Sequence, residues 1–209
     1  MESRNEALAY LIGALADGSL YRNEKQYIHR VSYYQKSKEY LDHCIEPRVM
    51  FLFNKKGHYY HDTRKDVYFY EITIKSIYQA IDEACTPFKD KVDPRIPTWI
   101  KEGSENVGIA FIKGFFDAEG CYMINPRTSD YRVRFGQANH GVLQDLRDML
   151  GTRFTCSEVL GPYQTKPEAL PYYELQMHGI KQVQQFHDLI KPCHPDKQRI
   201  GNKDKLGVK

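Results

Sequence analysis

Two acidic residues, Asp17 and Glu119, each stand directly before a glycine at the end of an apolar stretch rich in small residues, LAYLIGALADG and AFIKGFFDAEG, and lie 102 positions apart. Gln35 and Gln137 keep the same separation, each closing a β-rich run, YIHRVSYYQ and YRVRFGQ. Two lysines follow in the same order, Lys91 in PFKDK and Lys197 in PCHPDK, 106 positions apart. A pair of carboxylates can hold a hard divalent cation or divide acid and base work between them. A lysine can stabilise developing negative charge, and a glutamine can orient a water by hydrogen bonding. Each of the six alone is an ordinary residue; the shared register makes them a candidate catalytic set.

The elements that must position them can be read from periodicity. At helical spacing Ala110, Gly114 and Ala118 form a smooth stripe flanked by Phe111, Ile112, Phe115 and Phe116, and Ala9 and Gly13 do the same in the first copy. Such a stripe lets another backbone come close, and the glycine after each acid stops the helix, presenting the carboxylate at its end. The matched landmarks indicate an internal duplication of about 100 residues. In the first half the pattern predicts a helix over 5–16, two strands within 20–35 joined around 22–25, a helix from Ser37 to about Cys44 with a break at Pro47, strands 57–63 and 67–74, and a helix over 76–84. The second half repeats this as helix 107–117, strands near 121–125 and 131–137, helix 141–150, strands near 153–160 and 172–178, and helix 180–190. Pro87, Pro94 and Pro97 disfavour helix in the connection. The expected organisation is an N-terminal half 1–93, a linker 94–106 and a C-terminal half 107–209, each half αββαββα.

Strand alternation assigns faces. His29, Val31 and Tyr33 oppose Arg30, Ser32 and Tyr34, while Tyr131, Val133 and Phe135 oppose Arg132, Arg134 and Gly136, a buried face against a cationic one. Hydrophobic residues make up 41% of the 209, enough for a core, and 16 tyrosines suit half-buried sheets. The net charge of +3 is too small to identify a nucleic-acid binder, but basic residues concentrate at 22–38 and 191–209. A two-carboxylate glycosidase would account for the acids but not for the cationic strand faces. Five cysteines without a CxxC, no secretory leader and no apolar run of about 20 residues lead us to expect reduced thiols, an intracellular, cytoplasmic setting (with an organelle as the alternative) and no membrane role. His58, His61, His187 and His194 lack a consistent zinc-ligand spacing and are expected at the surface.

The segments LADG at 15–18, DAEG at 117–120, YQKS at 34–37 and RIPTWI at 95–100 resemble the LAGLIDADG homing endonucleases in their single-chain, two-motif form, and the resemblance covers nearly the whole chain. It implies an α+β fold in which two pseudo-symmetric halves pack through paired motif helices and antiparallel sheets form a DNA-binding saddle. It also implies that Asp17 and Glu119 bind a divalent metal above a minor groove, Mg2+ or another such as Mn2+. A metal held by carboxylates can activate a water and stabilise a leaving alkoxide, which phosphodiester hydrolysis requires. The partner would be double-stranded DNA bound by a monomer. Strands of eight to ten residues at about 3.3 Å each cover roughly nine base pairs, so two sheets imply a site on the order of 18. Candidate DNA contacts are Tyr21, Asn23, Lys25, Arg30, Ser32, Arg64, Asn125, Arg127, Arg132, Arg134 and Lys166, the arginines suited to guanine edges. The alternative within the resemblance is an RNA-splicing maturase, with intron RNA as partner, or a DNA-binding regulator without cleavage. The two copies also differ: Gly13 precedes Asp17 by four residues but Gly114 precedes Glu119 by five, and Lys36 is answered by Ala138. This puts the packing partners of Gly13 and the equal depth of the two acids in question.

Overall fold

Ser3 opens the first helix: its hydroxyl accepts the Glu6 amide, and the Glu6 carboxylate accepts the Ser3 amide. In the computed structural model, which describes residues 2–90, 92–164, 166 and 170–200, helix α1 (Arg4–Ala14) then tightens into a 3-10 turn, Leu15–Asp17. Ala7, Ala9, Tyr10, Leu11, Ile12 and Ala14 are all buried, which suits a helix that is apolar on nearly every side. Its main partner is α6 (Glu105–Glu119), which follows the short helix α5 (Thr98–Lys101). The two backbones touch where the small residues lie. A Cβ on Gly13 would stand 2.3 Å from the Phe111 carbonyl oxygen, and one on Gly114 would stand 2.1 Å from that of Tyr10.

That crossing answers the spacing question. Three residues of 3-10 helix rise about 2.0 Å each, against about 1.5 Å in α-helix. Four residues from Gly13 and five from Gly114 therefore advance similar distances, about 7.5 Å, and the missing residue is absorbed by the tighter turn.

Each motif helix is followed by a hairpin. The first sheet has order β1-β2-β4-β3, built from β1 (Gly18–Asn23), β2 (Ile28–Gln35), β3 (His58–Asp62) and β4 (Val67–Ile72). The second has order β5-β6-β8-β7, from β5 (Gly120–Asn125), β6 (Asp130–Gln137), β7 (Leu160–Tyr163) and β8 (Tyr172–His178). All pairings are antiparallel. Tyr27 and Ser129, 102 positions apart, both take φ of 53° in the hairpin connections, so the duplication extends to turn geometry. Helices α4 (Lys75–Cys85), α7 (His140–Gly151) and α8 (Ile180–Ile190) cover one face of the sheets against Val31, Val133, Phe135, Leu175 and Met177. The architecture is the expected α+β pair of αββαββα halves. Among the described residues no helix is long and apolar enough to cross a membrane.

Three local expectations need correction. Pro47 does not break the helix: α2 (Lys38–Tyr40) continues through a π-helical turn, Leu41–Ile45, into α3 (Glu46–Phe53), with Pro47 at its second position, directly after the π turn. The strand expected near 153–160 is regular only at Leu160–Tyr163: the segment before it meets β8 at one isolated antiparallel bridge, Cys156 with Met177, where Ser157 N–H donates to the Gln176 carbonyl at 2.8 Å, while Thr155 N–H turns to Gln182 Oε1 at 2.7 Å. Finally, His194 is buried and packs on the Tyr40 ring at 5.2 Å instead of lying at the surface.

The alternation in β6 gives a direct stability test. Phe135 is fully buried among Phe115, Phe116 and Phe186, with ring centroids at 6.0, 5.5 and 5.8 Å. Phe135→Ala should cost about 3–5 kcal/mol. Arg134, half-exposed and 3.0 Å from Glu174, should cost less than about 1 kcal/mol on truncation to alanine. Thermal unfolding of both variants checks the order; a larger loss for Arg134→Ala would contradict the assigned faces.

Candidate functional site

Asp17 closes the 3-10 turn after α1, and Glu119 closes α6, so the paired helices bring both carboxylates to one end of their interface. Burial raises the pKa of both. For Glu119 it carries the value to about 7, with the negative charge of Asp17 adding to the shift and Lys197 and Lys89 opposing it. Asp17 is raised by burial against the same two lysines. Gln35 donates from Nε2 to Asp17 Oδ2 at 3.1 Å. Gln137, its counterpart, instead accepts the Ala138 amide through Oε1 at 2.8 Å, so the two glutamines are used differently.

Lys197 sits on the short helix α9 (Pro195–Ile200), and its ammonium donates to the main-chain carbonyls of Phe116 and Asp117, the latter at 2.7 Å. These are C-terminal carbonyls of α6, where a cation is favoured. Burial lowers its pKa to about 8, opposed by the charges of Asp117, Cys121, Glu119 and Asp17. In the first half the expected Lys91 lies outside the described residues. Its neighbour Lys89 reaches the helix end, where its ammonium donates to the Gly18 carbonyl at 2.9 Å and burial lowers its pKa, opposed by Cys85, Glu119 and Asp17. The signal in the sequence was the aromatic before it: Phe88 packs against Phe111 and Phe115 at 5.5 and 6.3 Å, which carries the next residue to the helix pair.

Sequence reasoning also missed Asp117. It lies in the same DAEG segment as Glu119 but is fully buried, and accepts hydrogen bonds from the Tyr10 hydroxyl at 2.7 Å, the Cys193 amide at 3.0 Å and the His194 amide at 3.1 Å.

Among the described residues no group of three or more His, Cys, Asp or Glu side chains is placed to hold a metal. The Asp17 and Glu119 pair suits a cation that takes few protein ligands: Mg2+ uses one or two carboxylates and completes its shell with waters and phosphate oxygens. A divalent cation between them would also relieve the repulsion that adds to the Glu119 shift.

Flanking this centre, the uncovered faces of the sheets carry the candidate DNA contacts. The Arg30 guanidinium lies over the Tyr21 ring at 5.3 Å and 3.6 Å from Glu71. Ser32 is only 1% exposed and donates to Glu71 at 3.1 Å, so its hydroxyl is already committed in the free protein. Arg132 pairs with Asp130, Nε to Oδ1 at 2.8 Å, and Arg134 with Glu174. Asn23 and Asn125 serve the hairpin turns, accepting the Gln26 and Arg127 amides at 3.2 Å each. Lys25, Arg64, Arg127 and Lys166 are exposed. None of this second group touches the carboxylate centre, as expected of groups that would track a duplex outward from it.

Two motif helices ending in acids, between two four-stranded antiparallel sheets, give this chain the fold of the LAGLIDADG proteins with both motifs in one chain. Residues 106–191 match the sequence model of the LAGLIDADG-like domain. The homing endonuclease I-ApeI of Aeropyrum pernix is 31% identical over 120 residues, 54% of this chain and 52% of that protein, so the chain spans about half the length of the curated relative it matches. Among solved structures, I-DmoI in complex with DNA and Mn is similar at a TM-score of 0.65 with 19% identity, over 90% of this chain and 97% of that one. An I-DmoI variant with its target DNA in the presence of Mg scores 0.66 at 22% identity, covering 91% and 98%. The N-terminal LAGLIDADG domain of DUF199/WhiA scores 0.55 at 17% identity, covering 90% and 83%.

Proposed function

We propose that the chain is a site-specific double-strand DNA endonuclease of the homing type, active as a monomer, which hydrolyses phosphodiesters across the minor groove of a long asymmetric site with a divalent metal. The observation that carries this reading is the half-buried pair Asp17 and Glu119, held by the paired helices between two arginine-bearing sheet faces and flanked by Lys89 and Lys197. Asp17 and Glu119 would hold the cation, which when bound supplies Lewis-acid stabilisation and a more acidic water. Lys89 and Lys197 place positive charge where a scissile phosphate gains negative charge. Gln35, already bonded to Asp17, fixes that carboxylate's orientation. Arg30, Arg132 and Arg134 exchange their acidic partners for base edges or phosphates on binding.

The raised Glu119 value has a signed consequence. A carboxyl held at about 7 must lose its proton before it ligates a cation, so apparent Mg2+ affinity should be about tenfold weaker at pH 6 than at pH 8. Without cation the same group lowers stability as pH rises from its ordinary 4.5 towards 7, because the charged form is the disfavoured one in the fold. Calorimetric titration at the two pH values checks the first statement; equal affinities would remove Glu119 from the ligand set.

The halves are unequal in ways that reach the chemistry. Gln35 meets its acid while Gln137 does not, Asp17 is a methylene shorter than Glu119, and Lys36 is answered by Ala138 in the other half. One strand should therefore be cut faster than the other. Supercoiled plasmid carrying the target should pass through a nicked form before becoming linear, and end labels should give two rates. Equal rates, or a need for two chains per site, would contradict this reading.

A further inference from the structure

A fully buried carboxylate is costly, and the duplication shows that the fold does not need one at this position: Leu15, also fully buried, occupies the place in LADG that Asp117 occupies in DAEG. The three donors to Asp117 come from two sides. Tyr10 belongs to α1 of the other half, with the Arg48 guanidinium over its ring at 3.7 Å. The Cys193 and His194 amides belong to the segment just before α9, where His194 in turn accepts the Lys197 and Gln198 amides through its carbonyl, each at 3.0 Å. A continuous set of bonds thus runs from α1 through Asp117 to the turn that carries Lys197. In the first half Lys89 is delivered differently, by the buried Phe88 ring beside it.

We propose that Asp117 is a positioning residue for the second half of the site: its carboxylate docks the segment before α9 onto the helix pair and so holds the Lys197 ammonium at the end of α6. This rests on the endonuclease reading for its catalytic consequence, but the placement of Lys197 can be measured without DNA. Brief acetylation of the folded full chain with an N-hydroxysuccinimide acetate, followed by peptide mass spectrometry, reports how accessible the Lys197 amine is relative to surface lysines. Asp117→Leu, which installs the residue of the first half, should raise Lys197 acetylation about tenfold or more, because the Cys193 and His194 amides lose the carboxylate that accepts them. Asp117→Asn keeps an acceptor for both amides and should stay within about threefold of wild type. Should the leucine variant fail to fold, Tyr10→Phe removes one of the three bonds without changing shape and should raise acetylation about threefold. In single-turnover cleavage, Asp117→Leu should slow one strand about 100-fold with duplex affinity changed less than about threefold, the scale of a lost positioned charge. Combined with Lys197→Met it should add no further loss, since the two act through one group. Wild-type acetylation in whichever of the leucine and phenylalanine variants folds, or losses that multiply in the double variant, would overturn the proposal. A wild-type chain that cuts no DNA would overturn the endonuclease reading instead, leaving positioning to be judged on acetylation alone.

Discussion

Asp17→Asn and Glu119→Gln, made separately, should each abolish double-strand cleavage while duplex affinity stays within about tenfold, or about 1.4 kcal/mol. The separation follows from where the groups lie. Both acids sit at the helix ends, at least partly desolvated, whereas Arg30, Arg132 and Arg134 lie on the sheet faces and pair with acids of their own. Amidation removes the anionic ligand and leaves shape and sheet charge unchanged. Affinity could even rise slightly, since a negative charge facing phosphate is lost. Because one acid comes from each half, a single variant that nicks one strand remains consistent and shows which acid serves which strand. A variant cutting both strands at the wild-type rate would refute the metal assignment. Gel-shift titrations beside single-turnover cleavage give both numbers from the same preparations.

Gly114→Val should damage the fold about as severely as Phe135→Ala, costing on the order of 3 kcal/mol or more. The new side chain would meet Tyr10 O at 2.1 Å and Ala14 N at 3.0 Å, and backbone inside a buried helix cannot move aside as a flexible side chain can. The only relief is to part α1 from α6, which opens the core that both sheets share and separates Asp17 from Glu119. A loss of that size is a large part of the stability of an ordinary domain. Gly151→Ala is the control: nothing lies within 4 Å of its Cβ, and the helix C-terminus there should gain about 0.5–1 kcal/mol from the stiffer residue. Urea unfolding midpoints should move in opposite directions; a Gly114 variant as stable as wild type would mean that the helices do not meet as described.

Much of this arrangement was legible in the chain because duplication writes each landmark twice. The acid-glycine ends, the glutamines at strand ends and the alternation around Val133 and Phe135 depend on local periodicity, and the structure places them as that periodicity requires. What was not legible depends on contacts between distant segments. PFKDK offers two lysines, and that Lys89 meets the Gly18 carbonyl depends on the packing of Phe88 on α6. DAEG offers two acids, and only the helix crossing and the return of residues 193–194 turn Asp117 inward while Glu119 faces the site. Ser32 sits on the predicted face, yet Glu71 from a neighbouring strand takes its hydroxyl. Gln137 shares the register of Gln35 but bends to its own chain, a side-chain torsion that no spacing encodes.

Cleavage specificity is measured by selecting cleaved molecules from a randomised duplex library with the wild-type chain, with Mg2+ and without, beside the Asp17→Asn, Glu119→Gln double variant. Mg2+ and the wild-type acids together should enrich one long asymmetric sequence on the order of 18 base pairs, cut on both strands, and chelation or the double variant should abolish the enrichment. Equal enrichment by the double variant, or wild-type binding to a preferred duplex that is never cut in Mg2+ or Mn2+, would contradict metal-dependent cleavage by this pair of acids.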